Sequence, residues 1–269
     1  MFAAGGKHLL VWTQLALSSK KIFFLNSQFS RLFHPLDFYI CHFHKSWNPE
    51  NFRRQKNLKK FKMTYLILGT GTDIGKSFLV ENLCRILPKV TAIKPVCTGF
   101  LDSDKNSDPA RILAALGLEI SEKNLNEITP WRFAEPCSPH FVNEQIDFLA
   151  VKNFCQKKIL EVGEKTLLIE AAGGVMTPIN NQKTFLDLAF ELKISVLLVA
   201  GNYLGAISHA LSAVEALKAR DVVVEKIIVN EREESKYSIV ETLKSFTGIE
   251  TVAMQKLFLN PRFHEDLGN

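Results

Sequence analysis

The residues with the clearest chemistry are Gly75, Lys76 and Ser77, which end the stretch Gly-Thr-Gly-Thr-Asp-Ile-Gly-Lys-Ser over residues 69–77. A lysine that follows a glycine-rich turn is suited to polyphosphate, because backbone N–H groups cradle the phosphates while the ammonium neutralises them. The hydroxyl of Ser77 would then ligate Mg²⁺. The common spacing places glycine where this chain has Thr70, so the motif alone leaves an ordinary glycine-rich turn as the alternative.

The segments on either side of this loop favour the phosphate-binding interpretation. Residues 65–68 are β-favouring and predict a short buried strand. After the loop, apolar residues recur at helical spacing, at Phe78, Leu79, Leu83, Ile86 and Leu87. A strand, a glycine-rich turn and a helix beginning near Gly-Lys-Ser form the context in which such a loop binds phosphate. We therefore predict that residues 69–77 bind a polyphosphate.

Polar residues also stand at the ends of three later predicted strands. Lys94 follows residues 90–93, Glu170 follows residues 166–169, and Asn230 follows residues 222–229. Ligands of open α/β sheets bind at the carboxyl ends of strands, and a carboxylate beside phosphates suits a metal ion. The alternative for both Lys94 and Glu170 is an ordinary solvated side chain at a strand end. Asn230 could either form a turn or read an adenine edge through paired amide hydrogen bonds.

The stretch between the first and second of these strands is less regular. Asp108 and Pro109 predict the start of a helix over residues 110–117, and Asp108 could simply cap it. Residues 119–145 contain three prolines, which exclude a long helix and predict an irregular loop. Residues 146–163 return to helical spacing.

Strands and helices alternate from residue 63 onward, a pattern typical of a doubly wound α/β fold with a mostly parallel sheet. Fully apolar strands such as residues 166–169 fit a parallel sheet that is covered on both faces. With the phosphate loop, the pattern predicts a three-layer α/β/α domain like that of P-loop NTPases. Neither an internal repeat nor a low-complexity linker divides residues 63–269, so we predict a single domain there.

Residues 1–62 differ from the rest of the chain in charge. They carry 11 Lys or Arg and 2 Asp or Glu, a net +9, whereas the remainder of this +5 chain nets −4. Their best apolar run, residues 9–17, is too short to span a bilayer. We predict a disordered tail or an over-extended start before Met63, with a targeting signal as the alternative. The remainder has no basic stripe, so we expect neither nucleic acid nor membrane as a partner.

The five cysteines are Cys41, Cys84, Cys97, Cys137 and Cys155. Their odd number and the absence of a CxxC pair give little support to a disulfide framework or a zinc site. Scattered reduced thiols are usual in reducing compartments. The sequence therefore predicts a cytoplasmic protein.

Together, these residues resemble the dethiobiotin synthetase family. The resemblance rests on residues 69–77, whose one-residue lengthening the family shares, and on several further blocks. These are Lys-Pro-Val-Cys-Thr-Gly over residues 94–99, Ser107-Asp108, Phe-Ala-Glu-Pro-Cys-Ser-Pro-His over residues 133–140, Glu-Ala-Ala-Gly-Gly over residues 170–174 with Thr177-Pro178, and, more loosely, residues 204–210. The match runs from about residue 63 to near the carboxyl end, and residues 1–62 have no counterpart.

The resemblance implies a ligase of biotin biosynthesis. In that family, 7,8-diaminononanoate takes up CO₂ as a carbamate, ATP phosphorylates the carbamate, and the second amine closes a cyclic urea. Negative charge builds up on the carbamate and then on the phosphoryl group, so such a site needs preorganised cations. The implied cofactor is Mg²⁺, with ATP as co-substrate and CO₂ or bicarbonate as a further substrate. Family members are homodimers, and residues 204–209 are our candidate for contacts across the interface.

The same resemblance implies roles for individual residues. Lys76 would neutralise the outer phosphates, and Lys94 would hold the carbamate and the phosphoryl group during transfer. The implied Mg²⁺ ligands are Ser77, Asp108 and Glu170, and the implied substrate contacts are Thr98, Gly173, Leu204 and Gly205. The implied nucleotide contacts are Thr72, Asp73, Ile74, Gly75, Lys76, Ser77, Phe78, Asp108, Glu170, Ala171, Ala172, Gly173, Asn230 and Glu231.

The chain departs from the family pattern in two places. Members usually have Glu-Gly-Ala-Gly-Gly where residues 170–174 read Glu-Ala-Ala-Gly-Gly. A positive φ at Ala171 would cost about 1 kcal/mol or more, whereas a negative φ would suit alanine. Residues 254–259 also match the family's base-binding segment poorly.

Three other classes of protein are alternatives to this family. An ATPase of the ParA/MinD type shares the fold, but it carries a second lysine early in the loop, where this chain has Gly71. A related amide-forming synthetase would normally add a glutamine-hydrolysing domain. A nucleotide-binding module without turnover is left open by Ala171. We predict a dethiobiotin synthetase, with the ParA/MinD-like ATPase as the alternative.

Overall fold

The computed structural model describes residues 63–101, 104–142, 145–231 and 237–259. The N-terminal segment predicted to lie outside the domain, residues 1–62, is also outside these ranges. Across the described part of the chain, no helix combines the length and the apolar character needed to cross a membrane.

A parallel sheet forms the centre of the described chain. The strands are β1 (Thr64–Gly69), β2 (Val90–Ile93), β3 (Val96–Thr98), β4 (Trp131–Phe133), β5 (Thr166–Glu170), β6 (Ser195–Gly201), β7 (Val224–Asn230) and β8 (Thr251–Ala253). Six of them form one sheet in the order β2-β5-β1-β6-β7-β8, and every neighbouring pair is parallel. The predicted α/β class with a mostly parallel sheet is confirmed.

Helices connect these strands. They are α1 (Lys76–Ile86), α2 (Asp108–Ala115), α3 (Glu122–Ile128), α4 (Phe148–Glu161), α5 (Phe185–Leu192), α6 (Ala206–Lys218), α7 (Val240–Thr247) and α8 (Met254–Leu259). Several begin at side chains that cap free N–H groups. Asp147 accepts from the second residue of α4, and Thr184 and Asp187 form a reciprocal capping box at the start of α5.

The burial of β1 explains the layered architecture. All six residues of β1 are buried. Since successive side chains of a strand point to opposite faces, both faces of the sheet must be covered. The helices provide this cover, and the result is the predicted three-layer arrangement.

The strand order places the polar strand ends side by side. From β1 the chain passes to β2 at one edge of the sheet, returns to β5, and then crosses to β6 on the other side of β1. Ligands of such sheets bind beyond the carboxyl ends of the strands at this change of direction. Glu170 is the last residue of β5, and Lys94 follows β2, the strand beside it.

Residues 119–145 are more regular than predicted. Ser121 caps α3, which ends before Pro130, so the prolines exclude a long helix but not a short one ahead of them. Residues 131–133 then form β4, which pairs in parallel with β3. Thr98, an implied substrate contact, is the last residue of β3. Strand β3 continues the chain directly beyond Lys94.

Candidate active site

The phosphate loop joins β1 to α1 and is held to the sheet. Gly75 caps α1 with a φ of 102°, a left-handed backbone that favours glycine. Thr70 N–H donates to the Val199 carbonyl of β6 at 2.9 Å. The ammonium of Lys76 is buried and donates to the Gly71 carbonyl at 3.0 Å. The lysine therefore lies folded over its own loop, at a helix N-terminus that favours anions.

The segment after β5 lies against this loop. Val175 N–H donates to the Gly69 carbonyl at 2.9 Å, and a Cβ added at Gly174 would lie 3.3 Å from the same oxygen. Thr177 Oγ1 accepts from Gly174 N–H at 2.7 Å. Gly173 has a φ of 69°. The sequence alone assigns no role to Thr177. A threonine shortly after two glycines could have indicated it, because threonine hydroxyls often accept hydrogen bonds from nearby backbone N–H groups in turns.

Ala171 does not adopt the left-handed conformation. Among the described non-glycine residues, a positive φ occurs at Asp73, Lys89, Lys193 and Asp221. Ala171 is fully buried, and its N–H donates to the Ile67 carbonyl at 3.1 Å. Alanine therefore fits this position without backbone strain.

Lys94 lies between two carboxylates at the centre of the site. Its ammonium donates to Glu170 Oε1 at 2.7 Å and also to Asp108 Oδ2. The Ser77 hydroxyl donates to the same Glu170 oxygen at 2.6 Å. One hydrogen-bonded cluster around Lys94 therefore contains all three residues that were predicted to share one ion, Ser77, Asp108 and Glu170.

The pKa values of the charged groups follow from burial and proximity. Burial lowers the pKa of Lys76 to about 8, although the nearby negative charge of Glu170 acts to raise it. Burial also acts to lower the pKa of Lys94, but Glu170 and Asp108 outweigh it and hold that pKa above its ordinary value. For Asp108, Lys94 outweighs burial and keeps the pKa low. Lys94 and Asp108 are therefore an ion pair at neutral pH.

The donor set fits a hard divalent cation. Glu170 Oε2 is buried and has no hydrogen-bond partner among the described residues. Carboxylate and hydroxyl oxygens are the ligands that Mg²⁺ prefers, usually with phosphate oxygens and waters. Within the described ranges, no group of three or more His, Cys, Asp or Glu could hold a metal ion. Ser77 and nucleotide oxygens would therefore have to complete the site.

The predicted nucleotide contacts beyond the cluster lie along the same edge of the sheet. Asn230 ends β7, and its Nδ2 donates to the Ile74 carbonyl at 3.1 Å. The next residue, Glu231, has a buried Oε1 with no hydrogen-bond partner among the described residues. Gln255 in α8 donates to the Glu231 carbonyl at 2.7 Å. Phe78, on α1, is partly exposed and packs edge-on against Phe258.

The remaining predicted residues are placed differently. Thr72 and Asp73 are exposed on the phosphate loop, whereas Ala172 is buried after β5. Leu204 is fully exposed in the turn after β6, followed by Gly205, the N-cap of α6. The single chain therefore does not bring the Leu204 side chain against the Lys94 cluster.

Comparison with known proteins identifies the family. Residues 63–254 match a family model described as AAA domain. The ATP-dependent dethiobiotin synthetase BioD of Methylobacterium nodulans is 37% identical over 181 residues, which span 62% of this chain and 80% of that protein. The protein of the same name from Legionella pneumophila (strain Paris) is 36% identical over 174 residues, spanning 62% of this chain and 79% of that protein.

Two solved structures also align with this chain, both at low sequence identity. A ParA family ATPase from Chlorobium tepidum is 12% identical and covers 75% of this chain and 91% of its own, with a TM-score of 0.45. The MinD cell division protein of Aquifex aeolicus is 15% identical and covers 77% and 86%, with a TM-score of 0.43. By its sequence relatives, the chain belongs to the ATP-dependent dethiobiotin synthetases, the ligases that make dethiobiotin in biotin biosynthesis.

Proposed function

We propose that this chain converts 7,8-diaminononanoate, CO₂ and ATP into dethiobiotin, ADP and phosphate through a carbamate and a carbamyl phosphate. The observation that supports this most directly is the placement of Lys94 between Asp108 and Glu170. This cluster lies beside the phosphate-loop lysine, since Ser77, the residue after Lys76, donates to Glu170 Oε1 at 2.6 Å. Two lysines near one phosphoryl-transfer point suit a reaction in which negative charge develops first on the carbamate and then on the phosphoryl group.

The proposed chemistry has three steps. One amine attacks CO₂, which forms an N–C bond and releases a proton. A carbamate oxygen then attacks the γ-phosphorus of ATP, and the bond from that phosphorus to ADP breaks. The second amine attacks the carbamate carbon, phosphate leaves with its new oxygen, and the loss of the amine proton completes the cyclic urea.

The two lysines would act at different points of this sequence. The Lys94 ammonium would neutralise the carbamate and then the phosphoryl group in transfer, because a buried cation interacts strongly with developing charge. Lys76 would hold the outer phosphates of ATP at the start of α1. Thr98 and the backbone N–H groups of Ala172 and Gly173 would orient the carbamate.

Ser77, Asp108 and Glu170 would hold Mg²⁺ together with phosphate oxygens. The ion would supply positive charge to the phosphates that bear the developing negative charge. The unpartnered Glu170 Oε2 and the hard-oxygen donor set support this assignment.

A homodimer would complete the substrate site. The turn after β6 presents Tyr203, Leu204 and Gly205 as an exposed tip, and Leu204 is fully exposed. Exposed apolar side chains of this kind are common at protein interfaces. We therefore assign the predicted substrate contacts of Leu204 and Gly205 to the site of a second subunit.

A cytoplasmic location is part of the same proposal. The described cysteines, Cys84, Cys97, Cys137 and Cys155, are free thiols. Free thiols are usual in reducing compartments.

An isotope-labelling experiment tests the overall reaction and the proposed carbamyl phosphate intermediate separately. The chain is incubated with diaminononanoate, Mg²⁺, ATP and bicarbonate carrying ¹³C and ¹⁸O. Dethiobiotin that contains the ¹³C would establish the ligase reaction in this chain. Transfer of ¹⁸O from bicarbonate to phosphate would establish the carbamyl phosphate, because only that route moves this oxygen. Labelled dethiobiotin with unlabelled phosphate would contradict the mechanism, and no dethiobiotin would contradict the function.

A further inference from the structure

The side chain of Asn230 is tied to the phosphate loop. Its Nδ2 donates to the Ile74 carbonyl at 3.1 Å, across 156 residues of sequence. This bond joins the carboxyl end of β7 to the residue just before the cap of α1. The adenine-reading role predicted for Asn230 does not account for it.

The amide fits this position because Gly75 has no side chain. A Cβ added at Gly75 would lie 2.5 Å from Asn230 Nδ2 and 3.2 Å from its Cγ. Contacts that close to an amide cannot be accommodated without a shift. Glycine is therefore required at position 75 for two reasons, the left-handed backbone conformation and the close approach of the Asn230 side chain.

Holding the Ile74 carbonyl also orients the next N–H group. The peptide between Ile74 and Gly75 is planar and trans, since the described chain has no cis bonds, so its C=O and N–H point in opposite directions. With the carbonyl held by Asn230, the Gly75 N–H is directed away from it. In a phosphate-binding loop, correctly directed N–H groups are what bind the anion.

The amide keeps capacity for a second contact. An asparagine side chain has two N–H donors and an acceptor oxygen, and the bond to Ile74 uses one donor. The other donor and the oxygen are the pair that recognition of an adenine edge requires.

We propose that Asn230 is a positioning residue that fixes the phosphate loop through the Ile74 carbonyl, separately from any contact with the base. This rests on the proposed function only in taking the ligand to be a nucleoside triphosphate. The residue acts on phosphate binding through the loop and does not touch the reacting atoms.

Inorganic tripolyphosphate tests this inference, because it has phosphates but no base. Binding of tripolyphosphate with Mg²⁺, and of ATP with Mg²⁺, is measured by calorimetry for the parent chain and for Asn230→Ala. Loss of the bond to Ile74 should weaken tripolyphosphate binding about fivefold to tenfold, the usual cost of one hydrogen bond. ATP binding should weaken by at least as much.

Asn202→Ala is the matched control. Asn202 follows the end of the neighbouring strand β6, and its Nδ2 donates to the Tyr237 carbonyl at 2.7 Å, so the variant loses an amide-to-carbonyl bond that does not involve the phosphate loop. Thermal melting of both ligand-free variants separates a local effect from general destabilisation. If Asn230→Ala does not fold, Asn230→Ser is used for the same comparison.

Weaker tripolyphosphate binding in the Asn230 variant, with binding retained in the Asn202 variant, would support the positioning role. Unchanged tripolyphosphate binding would overturn it, whether or not ATP binding weakens, because Asn230 would then serve the base alone. Equal loss in both variants would overturn it as well. Dethiobiotin formation does not enter this measurement, so failure of the proposed function would be seen separately.

Discussion

The ammonium of Lys94 lies 2.7 Å from Oε1 of Glu170, and their side chains are 6% and 0% exposed. Buried charges are stable only when they are paired, so each side chain holds the other in place. The same Glu170 oxygen accepts from Ser77. A metal ion could bind Glu170 through Oε2, which has no hydrogen-bond partner among the described residues, while Lys94 and Ser77 occupy Oε1.

Replacing Lys94 by methionine should remove ring closure but not nucleotide binding. The side chain keeps its length and loses its charge, so the carbamate and the phosphoryl group lose their cation. We expect dethiobiotin formation to fall by about 10²-fold or more, as when one oxyanion-stabilising donor is removed. ATP affinity, measured by calorimetry with Mg²⁺, should change much less. Equal losses of affinity and turnover would contradict the role assigned to Lys94.

The same substitution should make stability depend on Mg²⁺. Without Lys94, the buried carboxylate of Glu170 and the partly exposed one of Asp108 both lose their cation, at a cost of about 3–5 kcal/mol in the free energy of unfolding. Mg²⁺ should restore part of this loss in urea titrations. Lys89→Met is the control, because Lys89 and Glu164 are 71% and 86% exposed, and breaking such a pair costs under about 1 kcal/mol. A Lys94 variant as stable as this control would contradict the buried ion pair.

Nucleotide binding should weaken in alkaline solution because of Lys76. Its pKa of about 8 in the ligand-free protein lies below the ordinary 10.5, so the ammonium that binds phosphate loses its proton as the pH rises through 8. ATP affinity should then fall by up to about tenfold per pH unit. Between these two pKa values the unfolded chain binds more protons, so Lys76 raises the stability of the ligand-free protein as the pH increases.

Calorimetry across this pH range provides the measurement. Lys76→Gln should bind ATP weakly at every pH and lack the slope above pH 8. If the slope persists in that variant, another group is responsible.

Ala171→Gly should not increase activity. Because Ala171 does not have a positive φ, glycine relieves no strain there. It adds freedom to the unfolded chain, so the free energy of unfolding should drop by about 0.5–1 kcal/mol. Urea denaturation and steady-state turnover would check this. A more active or more stable glycine variant would show that alanine is strained at this position.

Removal of residues 1–62 should leave dethiobiotin formation unchanged. The phosphate loop, the Lys94 cluster and Asn230 all lie within the match to the AAA domain family, residues 63–254. Turnover of the full chain and of a chain that starts at Met63 would be compared directly. A truncated chain that is folded but inactive would show that this segment contributes to the site.

The sequence was sufficient for the fold class, and it placed several candidate site residues at the ends of predicted strands. Local patterns predict the strand, turn and helix around Lys76, and the apolar strands predict a parallel sheet. From the sequence, Lys94 and Glu170 each stand at the end of a predicted strand, and the structure brings their side chains to 2.7 Å. The short helix at residues 122–128 and the short strand at residues 131–133 were not predicted, because prolines dominate the local sequence pattern. The strand also pairs with residues 96–98, which are distant in sequence.

The tertiary structure alone decided which atoms pair within the site. Sequence spacing could not give the φ of Ala171, the bond from Asn230 to Ile74, or the position of Lys94 between two carboxylates. Each depends on strand order, which brings together residues separated by up to 156 positions. Local sequence fixes the conformation of neighbouring residues, whereas contacts over such distances depend on how the whole sheet and its helices pack.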